Sequence, residues 1–509
     1  MRTRRHLRFL ATTIALAGLT LAGCQADDPK DAATGTNAGA DAVPVELKAF
    51  HGQKLRWRAC ENIVFECATL QAPLDYAEPN GPRIDLAVSR MKASTSGRSL
   101  GSLLLNPGGP GASAVDYLHA VGLEYPARII ARYDLAAIDP RGVGGSRPVA
   151  CAKDVQDMGE FDETPDDTGE QTAYAEALKR AVRGCDRSTD PVLAHMSTAD
   201  SARDMDLFRS ALGDRTLSFI GTSYGTFLGA TYAELFPRRT GRLVLDAAMD
   251  PSRSPRELLD DQAEAYETAF RSFARDCVRL PDCPLGTASA DAAAQRMKGL
   301  FDAFDEQPVP AGGGEVLSEA SARTGVRAAL YSKAAWPTLR TALTGALAGD
   351  GAALLAMARQ YVDMDGDGSN SEELSAHFGV RCLDGPPAFR SPEEVAEALP
   401  ALEATHPLFG ADVAWSGLVC AYWPVEATGA AHRIEAKGAA PILVLGTTRD
   451  PATPYRWAQS LAGQLSTGRL LTRDGDGHGA YDDGSDCVDT AVDAFLLRGT
   501  LPENGRRCA

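Results

Sequence analysis

The chain has 509 residues, 44% hydrophobic and 23% charged, with a formal net charge of −17. That length is too great for one small core and suits a large domain carrying an insertion. The composition is that of a globular enzyme, and the acidic balance excludes a nucleic-acid partner.

At the N-terminus, Arg2, Arg4, Arg5 and Arg8 precede the apolar run FLATTIALAGLTLAG. This is the layout of an export signal, and the run is too short and too rich in small residues for a membrane span. It ends in Leu21-Ala22-Gly23-Cys24, which resembles a bacterial lipobox. That resemblance implies removal of residues 1–23 and a lipid on Cys24 that anchors the protein to a membrane. The Arg4-Arg5 pair leaves the export route open between the general and twin-arginine pathways. Residues 24–45 are small, polar and aperiodic, as in a flexible tether.

The chain has 11 cysteines, and setting Cys24 aside leaves an even number. They fall in local couples: Cys60 with Cys67, Cys151 with Cys185, Cys277 with Cys283, Cys382 with Cys420, and Cys487 with Cys508. Neighbour pairing is the simplest connectivity, although spacing alone does not fix it. An exported protein meets an oxidising compartment, where disulfides persist. There is no C-x-x-C and no histidine cluster, so no metal is assigned.

Ordered signals begin near residue 50. RIDLAVSRM (83–91) and SLLLNPGGPG (102–111) read as strands, the second running into a glycine-rich loop. YDLAAIDPRGVGGSRP (133–148) is another strand with a Gly/Pro loop. TLSFI (216–220) and TFLGATYAELF (226–236) read as a strand and a helix around a sharp turn. GRLVLDAAMD (241–250) and PILVLGTTRD (441–450) are short apolar runs of the kind that form buried parallel strands. GRLLTRDGDGHG (468–479) is the last such unit. Strands alternating with helical segments predict a doubly wound, mainly parallel α/β sheet. The long segment between the strands at 243–246 and 442–445 has helical spacing, as in RELLDDQAEAYETAFRSFARDC (256–277). The chain leaves and re-enters the sheet on the side where α/β folds bind ligands, so this insertion reads as a cap. The expected organisation is a signal (1–23), a tether (24–45), core (46–250), helical cap (251–430) and core again (431–509).

The turn at 219–226, FIGTSYGT, contains a G-x-S-x-G set between a strand and a helix. A serine in a strand–turn–helix bend has its hydroxyl held exposed, which is the nucleophile elbow of the α/β-hydrolase fold. Ser223 is therefore the expected nucleophile. Such a serine needs a histidine base and a carboxylate to orient it, in the chain order Ser, Asp, His. Of the histidines after residue 410, His478 lies in a glycine-rich loop after the last strand, whereas His432 lies in a linker. His478 is the expected base. Asp450, at the end of PILVLGTTRD, is the expected acid, with Asp246 at the end of LVLD as the alternative. Asp474 and Asp476 lie too close to His478 in sequence. Two backbone N–H groups must face the tetrahedral oxygen. Tyr224, after the nucleophile, should supply one, and Gly109 in NPGGPG the other, with Gly108 as the near alternative.

NPGGPGAS, DPRGVGGSRP, GTSYGT, GTTRDPATP and GDGHGAY together resemble the exported tripeptidyl aminopeptidases of actinobacteria, relatives of the proline iminopeptidases. The secreted mycobacterial serine hydrolases are similar. The resemblance runs from about residue 55 to the C-terminus and implies the same five site residues: Ser223, Asp450, His478, Gly109 and Tyr224. It also implies a secreted serine protease that releases short peptides, usually tripeptides, from free N-termini, without a cofactor. Some relatives hydrolyse esters, so a carboxylesterase or lipase with the same triad is the first alternative. An inactive binding lipoprotein is the second.

A free-amine substrate calls for carboxylates in the cap. Glu257, Asp260, Asp261, Glu264, Glu267 and Asp384 are all candidates, and sequence does not choose among them. DMDGDGSNSEEL (363–374) has the Asp363, Asp365, Asp367 and Gly368 of a calcium loop. Its twelfth position is Leu374 where a bidentate glutamate is needed, and Glu373 falls one residue early. It reads as a polar loop.

Overall fold

The computed structural model describes residues 43–95, 99–151, 162–186, 190–362 and 370–509. The signal segment, Cys24, most of the tether and residues 363–369 lie outside the described residues, and the remainder of the segment read as a polar loop, 370–374, is instead the first turn of the helix Asn370–Asp384. Twelve strands are present among those described: β1 (Arg58–Ala59), β2 (Glu66–Pro73), β3 (Arg83–Met91), β4 (Ser102–Asn106), β5 (Asp134–Ile138), β6 (Leu217–Thr222), β7 (Thr240–Asp246), β8 (Val309–Gly312), β9 (Glu315–Leu317), β10 (Ile442–Arg449), β11 (Gly468–Asp476) and β12 (Arg506–Cys508). Ten of them form one sheet in the order β1-β2-β3-β5-β4-β6-β7-β10-β11-β12. Pairing is antiparallel from β1 through β3 to β5 and parallel from β5 to β12.

The apolar runs follow from this topology. Parallel strands covered on both faces need apolar side chains on both. Leu104, Phe219, Leu243, Leu245, Ile442 and Val444 enter the core on one face. Leu103, Leu105, Ile220, Val244, Leu443 and Leu445 enter the core on the other. The chain is an α/β-hydrolase-type sheet with covering helices, as the strand alternation predicts.

Between β7 and β10 the chain makes helices beginning with Pro255–Cys277 and ending with Gly410–Ser416. A capping box starts the first: Ser254 accepts from the Glu257 amide while Glu257 accepts from that of Ser254. Its inner face carries Tyr266, Phe270 and Phe273, which join the same core as Phe219 and Leu243. The insertion also contains a hairpin, β8 with β9, that helical spacing does not reveal. The antiparallel β1–β2 edge and the short β12 are likewise additions to the sequence reading.

Five disulfides close loops: Cys60–Cys67, Cys151–Cys185, Cys277–Cys283, Cys382–Cys420 and Cys487–Cys508. Cys487–Cys508 staples the last helix, Asp486–Arg498, to β12. Cys382–Cys420 ties the helix Asn370–Asp384 to the turn Val419–Ala421. That bridge spans 38 residues, and restricting such a loop in the unfolded chain stabilises by roughly 2–4 kcal/mol. Replacing Cys382 and Cys420 together by serine should therefore lower the urea unfolding free energy by an amount of that order and shift the midpoint down accordingly. A midpoint unchanged from the wild type would show that the bridge adds nothing to folding.

Candidate active site

Ser223 occupies the bend between β6 and the helix Tyr224–Leu235, with φ 57° and ψ −124°. The helix starts at once after the serine, two residues earlier than the apolar pattern suggests. The bend is tight because its neighbours lack side chains. A Cβ on Gly221 would come 2.2 Å from the Gly225 carbonyl oxygen, and one on Gly225 would come 2.8 Å from Asn106 Oδ1. The Ser223 amide donates to the Asp246 carbonyl at 2.9 Å, which ties the bend to the end of β7.

The glycine loop after β4 lies directly against this bend. At Gly108 a Cβ would come 2.5 Å from the Thr222 carbonyl oxygen and 2.9 Å from Ser223 Cβ. Gly108 and Gly109 both have positive φ, 105° and 99°. Gly109, Ser223 and Tyr224 share one cavity of about 330 Å³, which Tyr331, Thr453 and Trp457 also line.

His478 follows β11. Its amide donates to the Tyr331 carbonyl at 2.9 Å. A Cβ on the preceding Gly477 would stand 2.9 Å from that same oxygen, so glycine permits the approach. Asp450 is buried at the end of β10. Its Oδ1 and Oδ2 lie 2.9 and 3.0 Å from His478 Nδ1. Oδ1 also accepts from the amides of Ala452 and Thr453, each at 2.9 Å, and Oδ2 accepts from Thr453 Oγ1 at 3.1 Å. With its lone pairs fixed, the carboxylate holds the ring in one orientation. Burial lowers the His478 pKa and the Asp450 charge raises it; the net direction is upward. The Tyr331 ring meets the imidazole edge-on at 5.1 Å.

The alternative carboxylate has other partners. Asp246 Oδ2 accepts from the amides of Ala480 and Tyr481 at 3.0 and 2.9 Å. It thus holds the backbone just after the histidine, while Asp450 meets the ring. His432 is an exposed residue paired with Glu234 at 2.9 Å. Asp474 and Asp476 are bound to Arg449.

Of the six acids proposed for the insertion, Asp384 alone lines the cavity. Glu257 caps a helix, Asp260 meets His406, Asp261 and Glu264 pair with Arg456, and Glu267 accepts from the Leu408 amide. Asp384 accepts from the Thr198 amide at 2.8 Å and from its hydroxyl. Thr198 Oγ1 in turn meets the Tyr224 hydroxyl at 2.5 Å. Burial pushes the Asp384 pKa up to about 7. Residues from distant segments, Tyr331, His377 and Arg381 among them, line the cavity and carry no local signal that marks them for it. Thr453 does, since an Asp-x-x-Thr turn offers its hydroxyl back to the carboxylate.

The raised pKa of Asp384 has a stability consequence. The native state binds the proton more tightly than the unfolded chain, so the contribution is present below about pH 4. It is lost as pH rises through about 7. Urea titrations at successive pH values should find Asp384→Asn gaining on the wild type across that window and level above it. Parallel curves would show that this carboxyl titrates normally.

Residues 406–508 match the family model described as TAP-like protein. Serine protease Hip1 of Mycobacterium tuberculosis is 35% identical over 478 residues, covering 90% of this chain and 91% of that protein. Carboxylesterase B of the same organism is 38% identical over 525 aligned positions, covering 99% and 98%. The tripeptidyl aminopeptidase of Streptomyces lividans is 32% identical over 469 residues, covering 87% and 83%. With its elbow serine and its Asp–His pair, the chain belongs to the actinobacterial α/β-hydrolase family of tripeptidyl aminopeptidase-like serine hydrolases.

Proposed function

We propose that this serine hydrolase is an exported aminopeptidase that releases short peptides, tripeptides in the main, from free N-termini. The observation that carries the reading is the orientation of His478 by a fully engaged Asp450, with Ser223 on a strained bend at a shared cavity. Ser223 Oγ attacks the scissile carbonyl while His478 Nε2 takes its proton. Asp450 accepts the Nδ1 proton and stabilises the imidazolium. The amides of Gly109 and Tyr224 face the tetrahedral oxygen. Collapse expels the amine, which His478 protonates, and water then resolves the acyl-enzyme by the same groups.

The insertion, residues 251–430, serves as the cap and sets how much chain the cavity admits. Asp384 is the acid placed to receive a free amine, since an arriving ammonium would draw its pKa back down. The five disulfides suit an extracytoplasmic site, and a lipid on Cys24 would hold the enzyme at the membrane. Carboxylesterase B, matched over nearly the whole chain, favours ester hydrolysis as the second reading.

Mass-spectrometric product profiles on one peptide, unblocked and N-acetylated, test this reading. Tripeptide release from the unblocked form alone is expected. Equal cleavage of both, or a preference of several orders for simple esters, would favour the esterase. Ser223→Ala should abolish turnover and fluorophosphonate labelling with little change in Tm. Asp450→Asn should lower kcat by about 10³–10⁴-fold. His478 must be neutral to act as base and its pKa is raised. The wild-type kcat/KM should therefore fall about tenfold per pH unit on the acid side of a pKa above the ordinary histidine value.

A further inference from the structure

The helix Asn370–Asp384 forms one wall of the cavity that contains Ser223, and His377, Arg381 and Asp384 all line it. Four attachments fix this wall. His377 Nδ1 meets the Pro110 carbonyl at 3.1 Å, in the loop beside Gly109. Gly111 packs on the same helix, since a Cβ there would come 2.4 Å from the Glu373 carbonyl oxygen. Asp384 binds Thr198, and the Cys382–Cys420 bridge closes the far end. Arg381 lies between these anchors, so its position relative to the nucleophile is set by the fold.

Among the described residues, Arg381 has no hydrogen-bond or ion-pair partner. Arg381 is half-buried, and other arginines of little exposure are compensated: Arg141 by Asp204, Arg323 by Glu319, and Arg327 by Asp412. Arg253, also on the cavity wall, is paired with Asp261 and Glu257. Partners raise the pKa of Arg141 and Arg327, whereas at Arg381 burial lowers it with nothing opposing. His377 is held down to about 4, so it adds no charge near neutral pH. A partly desolvated cation without a partner costs stability, and a ligand carboxylate in the cavity would supply the missing charge. Its place in the last helical turn also suits the helix dipole. That role needs only a positive charge at the helix end, which a solvated lysine would supply.

We propose that Arg381 is the anion-recognition residue of this cavity and pairs its guanidinium with a substrate carboxylate. A planar fork with parallel donors matches a carboxylate in a bidentate pair. The proposal rests on the peptidase reading for its substrate class: peptides that place a carboxylate in the cavity. That group comes from an acidic side chain in the released segment or from the C-terminus of a short peptide.

Matched peptides separate the two sources. One pair differs by Glu against Gln in the released segment, and the other by a free C-terminal carboxylate against the carboxamide. In the wild type, the carboxylate member of one pair should show roughly 10- to 100-fold higher kcat/KM, as for a hydrogen-bonded charge. Arg381→Gln should erase that preference by slowing the carboxylate member alone, and Arg381→Lys should keep part of it. Fluorophosphonate labelling of Ser223 and Tm verify that each variant is folded. Equal rates within both pairs, or a loss in Arg381→Gln shared by the neutral members, would leave Arg381 a helix-end cation and overturn the proposal.

A second measurement needs no turnover. Glutarate, unlike glutaramide, should raise the Tm of the wild type and leave that of Arg381→Gln unchanged. Absence of that difference counts against the anion site itself. Its presence in an enzyme that cleaves no peptide counts against the peptidase reading while the anion site stands.

Discussion

The backbone bend at Ser223 is the constraint on which the other parts of the site depend. A non-glycine residue at φ 57°, ψ −124° carries strain of order 1–3 kcal/mol, and it persists only where surrounding structure over-determines it. Here the determination is steric and hydrogen-bonded together. β6 is held between β4 and β7 by parallel ladders. Gly221 and Gly225 allow the two arms of the turn to touch. The Ser223 amide is fixed to the Asp246 carbonyl. Relaxing the bend would require moving three strands.

Asp246 links this bend to the histidine loop. Its carbonyl accepts from Ser223, and its carboxylate accepts from Ala480 and Tyr481. One residue at the end of β7 therefore sets the spacing between the serine turn and the segment that follows His478. The second hold comes from the insertion, where the Tyr331 carbonyl accepts the His478 amide. The imidazole is thus supported by the sheet on one side and by the inserted helices on the other. Removal of the insertion would expose the cavity and also release the backbone of His478.

What the sequence made legible was local. The G-x-S-x-G turn, the aspartate at the end of β10 and the histidine among glycines after β11 each declare themselves within about ten residues. The parallel strands do so too, because burial on both faces leaves an unbroken apolar run. The choice between Asp450 and Asp246 was harder, since both end strands beside the same loop. Their different partners, ring nitrogen against backbone amides, follow from three-dimensional placement. The short edge strands β1 and β12 were illegible because so few residues leave no period to read. The acids of the insertion looked alike in sequence. What singles out Asp384 is its place on the cavity wall, which only the three-dimensional packing of distant segments creates.

The wall helix joins recognition to the reacting centre. His377 touches the loop that carries Gly109, and Asp384 reaches Tyr224 through Thr198. The two backbone segments proposed to face the oxyanion are thus both braced by the helix that bears Arg381. A carboxylate bound at Arg381, as proposed, would engage the same helix that braces these segments, so its binding energy could act in the transition state. A wall built this way resists displacement. Specificity within the family is then expected to diverge through the side chains at positions such as 381, because moving the helix itself would disturb the oxyanion loop.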